Sequence, residues 1–180
     1  MSKLANDLES FFSSIRMYST EEYDDTVKAV AKVLNCHYYG TDSETKHMLV
    51  VGSVGRGTAV LDTSDLDLLY DLPYAEYSRF DSYKNNGQSA LLQDVKDALL
   101  EHWPRTEVKG DGQAVVIVFT DRQFTIDLVP AFKQTDGSFK YPDSNNGGSW
   151  KKTDPIPEQE ECDRDIRPKF PESYDVVGNP

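Results

Sequence analysis

Cysteine is scarce: Cys36 and Cys162 are the two in 180 residues. They show neither metal-ligand spacing nor the density of a disulfide-stapled secreted domain, so a reducing, cytoplasmic setting is expected. No apolar run approaches a membrane span, and the N-terminus shows no secretory signal pattern, so no membrane association is expected. Basic charge is also short, with 19 Lys and Arg against 31 Asp and Glu and a net charge of −12. A surface that tracks long duplex nucleic acid needs clustered cations, so long duplex is not an expected partner. A nucleotide is not excluded, because a metal and backbone amides neutralise its charge locally. No internal repeat is present. The length suits one domain with enough chain to bury a core.

Against this background one stretch stands out. Met48-Leu49-Val50-Val51 reads as a buried strand and runs into Gly52-Ser53-Val54-Gly55-Arg56-Gly57-Thr58. The glycines permit a sharp turn that leaves amide N–H groups facing an anion. Gly52 to Gly57 has the glycine spacing of a P-loop, but Thr58 stands where lysine is required, and the GxGxxG fingerprint does not fit.

Asp65 and Asp67 follow in Asp65-Leu66-Asp67-Leu68-Leu69-Tyr70. In a strand, i and i+2 share a face, so both carboxylates leave the sheet together while Leu66 and Leu68 enter a core. Two such carboxylates repel unless a cation lies between them, and a hard divalent ion such as Mg²⁺ takes oxygen ligands while keeping room for phosphates. An anion-binding turn ahead of a carboxylate pair points to a metal–nucleotide site.

The ordered set Gly52-Ser53, Asp65-x-Asp67 and a later Asp127, on the apolar strand Phe124-Thr125-Ile126-Asp127-Leu128-Val129-Pro130, resembles the signature of polymerase-β-like nucleotidyltransferases. The fuller motifs are similar to the branch holding oligoadenylate synthases and the bacterial relatives of cyclic GMP-AMP synthase. So are Tyr141-Pro142-Asp143 and the stretch from Gly147 to Pro155. The resemblance covers residues 1–160, assigned as a catalytic domain, with 161–180 a proline-containing tail or the start of a helical lobe not encoded here.

The resemblance implies an α+β fold, with a mixed or antiparallel twisted sheet and helices packed on it. It implies Asp65, Asp67 and Asp127 as catalytic residues holding Mg²⁺ or Mn²⁺, and nucleoside triphosphates of the ATP or GTP class as substrates. Gly52 and Ser53 would hold the β- and γ-phosphates. Arg56 either adds charge there or is an exposed helix residue, and Thr58 fixes the turn. The implied product is a cyclic or linear oligonucleotide signal, as in bacterial antiphage defence. The alternatives are transfer to tRNA, protein or a small molecule, or a catalytically incomplete NTP-binding module. A second lobe or protein partner would close the cleft.

Along the rest of the chain, Leu4, Leu8, Phe11, Phe12 and Ile15 have helical spacing, as do Tyr23, Val27, Val30, Ala31 and Leu34, with Ser19 to Glu22 a capping box between them. Residues 35–46 read as a polar connection and 73–87 as loop. A helix is expected from Gln88 to Trp103, ended by Pro104 and carrying His102 at its end rather than as a metal ligand. Arg105 to Lys109 alternates weakly. Ala114 to Phe119 reads as a strand buried on both faces, and Phe124 to Phe132 as its antiparallel neighbour with Asp127 facing outward. From Lys133 to Pro157, Gly, Asn, Ser and Pro dominate and no regular element is expected. Pro168-Lys169-Phe170-Pro171 has PxxP spacing but reads as linker or tail.

Overall fold

The computed structural model describes residues 24–52, 65–119 and 124–155. The expected helix over 4–15, the capping box at Ser19–Glu22, the turn at Thr120–Gln123, Cys162 and the PxxP stretch lie outside them. Helix α1 occupies residues 24–39. Strands β1 (Met48–Val50) and β2 (Asp65–Asp71) follow, then helices α2 (Tyr74–Asp81) and α3 (Gly87–His102). Strands β3 (Glu107–Asp111), β4 (Ala114–Phe119), β5 (Phe124–Lys133), β6 (Phe139–Asp143) and β7 (Ser149–Thr153) complete the described chain.

The sheet runs β1-β2-β5-β4-β3, with β6 on β5 and β7 on β6. Every neighbouring pair is antiparallel except β2 and β5, which are parallel. A parallel pair requires a long crossover, and α2, α3 and the β3–β4 hairpin supply it. The fold is therefore α+β with a mixed sheet, as expected, and β5 is antiparallel to β4 as its tight connection demanded.

Alternation fixes which face is buried. Leu66, Leu68, Ile126 and Leu128 are at most 1% exposed and pack with Val27, Val30, Leu34, Leu91, Val95 and Leu99 from α1 and α3. A one-residue slip of β2 would exchange these leucines for Asp65 and Asp67. Each leucine's burial contributes roughly 2 kcal/mol, so the slip is strongly disfavoured.

Four expectations need correction. Residues 73–87 are not all loop: α2 lies there, anchored by buried Phe80. Its turn is short and rich in tyrosine, so tertiary packing rather than pattern selects the helix. Residues 133–157 are not irregular, because β6 and β7 form a hairpin that extends the sheet. The helix begun before Val27 continues through Asn35, which is fully buried. Asn35 donates to the Ser43 and Lys46 carbonyls at 2.9 and 2.8 Å and accepts from the Tyr70 hydroxyl at 3.2 Å. Finally, β4 is buried on one face: Val115 and Ile117 are 0% exposed, while Val116 and Val118 are half-buried, since the helices cover only one side.

Candidate active site

Asp65, Asp67 and Asp127 occupy the sheet face opposite the helices. Asp67 is the register partner of Asp127 across the parallel β2–β5 pair, and Asp65 is the partner of Thr125. Register partners in a parallel pair share a face, so the carboxylates of Asp67 and Asp127 lie side by side. Asp65 stands one pleat away, exposed, and accepts a hydrogen bond from Thr125 Oγ1 at 2.6 Å. Thr125 was not singled out in the sequence; its position two residues before Asp127, on the same face, is the signal that could have found it.

Gly52 joins the turn to this row. The Val51 N–H donates to the Asp67 carbonyl at 2.9 Å, which holds Val51 and Gly52 against β2. Gly52 has φ of +64°, and a Cβ added there would lie 2.7 Å from Asp67 Cγ and 3.0 Å from Asp67 Cβ. Glycine is therefore required twice, for its backbone angle and for the space its missing side chain leaves to the carboxylate. Ser53, Arg56 and Thr58 lie outside the described residues.

The electrostatics follow from crowding. Burial raises the Asp127 pKa above the usual carboxylate range, and the negative fields of Asp67, Asp65 and Asp111 raise it further. Asp111 at the end of β3 was not foreseen, because its proximity comes from sheet order rather than spacing. The donors are all oxygen and share one face, with Gly52 holding space beside Asp67. That chemistry fits a hard divalent cation. Among the described residues, no group of three His, Cys, Asp or Glu is gathered tightly enough to hold a metal by itself. The residues are thus placed on one face without being closed around one centre.

Tyr70 and Trp150 belong to the core on the helix-covered side. Tyr70 is 0% exposed. Trp150 donates its Nε1 proton to Asp81 at 2.8 Å and sits 5.0 Å from the Tyr77 ring and 5.7 Å from the Phe132 ring. His102 is exposed at the end of α3, against Trp103. No helix among the described residues is long and apolar enough to cross a membrane.

Comparison with known proteins agrees with this architecture. The family model for the Second Messenger Oligonucleotide or Dinucleotide Synthetase domain matches residues 1–165. No curated protein sequence matches. Among solved structures, CdnG of Bradyrhizobium diazoefficiens, a CD-NTase in complex with GTP, superposes with a TM-score of 0.58 at 17% identity, over 84% of this chain and 42% of that one. CdnC of E. coli MS115-1, solved with ATP, gives 0.54 at 19%, over 86% and 45%. The STING-associated CdnE c-di-GMP synthase of Capnocytophaga granulosa gives 0.54 at 16%, over 90% and 57%. The chain thus spans about half the length of these proteins.

Proposed function

The chain belongs to the Second Messenger Oligonucleotide or Dinucleotide Synthetase family, and we propose that it is the catalytic portion of a metal-dependent nucleotidyltransferase. It would join nucleoside triphosphates into a cyclic or linear oligonucleotide signal. The observation that carries this reading is the register of Asp67 with Asp127 on adjacent parallel strands, with Asp65 on the same face and Gly52 packed against Asp67. The solved relatives bound to GTP and ATP support a nucleoside triphosphate as substrate, and the c-di-GMP synthase supports a cyclic dinucleotide as product. A role in antiphage defence rests on the family resemblance.

In this reading Asp65 and Asp67 hold Mg²⁺ or Mn²⁺, with Asp127 completing the ligand set. When bound, the cation supplies Lewis-acid polarisation of the α-phosphate and neutralises charge on the leaving pyrophosphate. The chain's own groups supply placement. Gly52, with Ser53 and Arg56 after it in the sequence, would offer the site for the β- and γ-phosphates. Asp127 would stand next to the attacking 2′- or 3′-hydroxyl, where it would lower the hydroxyl pKa together with the metal or accept its proton. Thr125 orients Asp65 through its hydrogen bond.

Labelled NTPs incubated with Mg²⁺ and the protein, with products separated by size and charge, test the proposal. Pyrophosphate release coupled to an oligonucleotide that Asp67→Asn abolishes is the expected result. A product containing tRNA, protein or a small acceptor would instead support the wider nucleotidyltransferase reading. Nucleotide binding with no pyrophosphate release, even with a supplied second lobe, would leave a binding module.

A further inference from the structure

The three aspartates are not held alike. Asp67 and Asp127 are half-buried, and Gly52 packs against Asp67. Asp65 is the first residue of β2 and is exposed, so packing does not choose its rotamer. A tether comes from the neighbouring strand instead: Thr125 Oγ1 donates to Asp65 Oδ1 at 2.6 Å. A hydroxyl donating to an ionised carboxylate spans about 2.5–2.7 Å, and such a bond is roughly twice as strong as one between neutral groups.

The donor is itself well aimed. Thr125 is the register partner of Asp65 across the parallel β2–β5 pair and of Val118 across the antiparallel β4–β5 pair. A β-branched side chain has restricted χ1, so the sheet rather than a loop directs this hydroxyl. Val118, on the other side, carries no side-chain acceptor to compete with Asp65 for the proton.

The bond bears on what Asp65 can hold. A carboxylate meets a cation through one oxygen or through both. With Oδ1 accepting from Thr125 and the carboxyl plane fixed, coordination through one oxygen is favoured. Ca²⁺ takes carboxylates in either mode, within a flexible shell of about six to eight oxygens. Mg²⁺ demands octahedral geometry and keeps several waters, so it depends on a few correctly aimed oxygens. We propose that Thr125 is a positioning residue that makes Asp65 a fixed, one-oxygen ligand and thereby biases this site toward Mg²⁺ and against Ca²⁺. The inference deepens the metal-dependent reading given above and rests on it.

The test is a titration of the full 180-residue chain with MgCl₂ and, separately, with CaCl₂, followed by ¹H–¹⁵N NMR at the Asp65, Asp67 and Thr125 amides. Thr125→Val should weaken Mg²⁺ by at least about tenfold, the low end for losing a hydrogen bond to a metal-ligating residue. It should weaken Ca²⁺ less, so the ratio of the two Kd values moves toward Ca²⁺. Thr125→Ala should repeat that result, and Thr125→Ser, which keeps the hydroxyl, should restore most of the wild-type ratio. Equal weakening of both ions, no weakening of Mg²⁺, or Thr125→Ser behaving as Thr125→Val would overturn the proposal and leave the metal site standing. Mg²⁺ shifts absent from wild type, or unchanged in Asp67→Asn, would overturn the carboxylate-held metal itself and this inference with it.

Discussion

Replacing Gly52 by alanine tests whether the turn and the carboxylate row form one site. Two costs add. Gly52 has φ of +64°, and a residue with a Cβ loses roughly 1–2 kcal/mol in that conformation. The new methyl would also lie 2.7 Å from Asp67 Cγ and 3.0 Å from Asp67 Cβ. Rotating the carboxyl group moves its oxygens but not Cβ, so the side chain or the strand beneath it must shift. Gly40 provides the control: its φ is +63° and an added Cβ meets nothing within 4 Å. Gly40→Ala should therefore show the backbone cost alone, about 1 kcal/mol. Gly52→Ala should lose at least ~1 kcal/mol more, the low end of overpacking. Urea unfolding at constant m-value measures both. Repeating it with Mg²⁺–ATP separates stability from the site. Ligand stabilisation should persist in Gly40→Ala but reflect at least a tenfold weaker Kd in Gly52→Ala, about 1.4 kcal/mol less at saturating ligand. Equal unfolding free energies for the two variants, or equal ligand stabilisation, would refute the reasoning.

Asp67→Asn should leave the ligand-free protein as stable as wild type or more so, because it relieves repulsion with Asp127, and should abolish the thermal shift produced by Mg²⁺–ATP; equal shifts would contradict a carboxylate-held nucleotide. The raised Asp127 pKa makes protonated Asp127 favour the fold, a contribution lost as pH rises from the ordinary carboxylate range through the raised value. The stability of Asp127→Asn relative to wild type should therefore increase with pH across that window, and a flat difference in urea melts would count against it. Asn35→Ala strands the Tyr70 hydroxyl and two carbonyls and should cost about 2–4 kcal/mol in the same assay; less than 1 kcal/mol would show that water replaces the amide. Residues 1–180, which span about half the length of the solved relatives, should bind nucleotide but yield little product when assayed by themselves, and duplex DNA or RNA should not stimulate them; robust synthesis, or stimulation that vanishes with salt, would defeat both expectations.

Much of the architecture was legible because strand period and carboxylate spacing are local. The alternation Asp65-Leu66-Asp67-Leu68 announces a strand with one acidic and one apolar face, and Phe124 to Phe132 repeats it around Asp127. The facing of all three aspartates follows from those two stretches. What the sequence hides is contact set by sheet order. Asp111 acts on Asp127 only because β3 and β4 are laid beside β5. The β6–β7 hairpin was obscured by Pro142 and the run Asn145 to Gly148, which read as loop. Yet those glycines and asparagines form the turn itself, with Asn146, Gly147 and Gly148 all at positive φ. Asn35 was hidden for a related reason: an asparagine at a helix end usually signals exposure, whereas here its amide ties α1 to the connection before β1 and to Tyr70 on β2.

The placement of the aspartates also explains why this fold tolerates them. A carboxylate row in the core would cost several kcal/mol per unpaired charge. Here the helices cover only the opposite face, so Asp65 remains exposed while Asp67 and Asp127 are half-buried. Further along the same two strands, Leu69 and Ala131 stand on the carboxylate face and are buried with Leu49 and Phe139 in a second, smaller cluster. Strands β2 and β5 thus carry a polar end and an apolar end on one face. The apolar end contributes burial that fixes the register, and the register sets Asp67 beside Asp127. Because the pair is parallel, both aspartates also lie at the N-terminal ends of their strands, next to the turn at Gly52. Substituting Leu69 or Phe139 should therefore disturb the carboxylate geometry without touching it, whereas an isolated acidic cluster on a flexible loop would be indifferent to such changes.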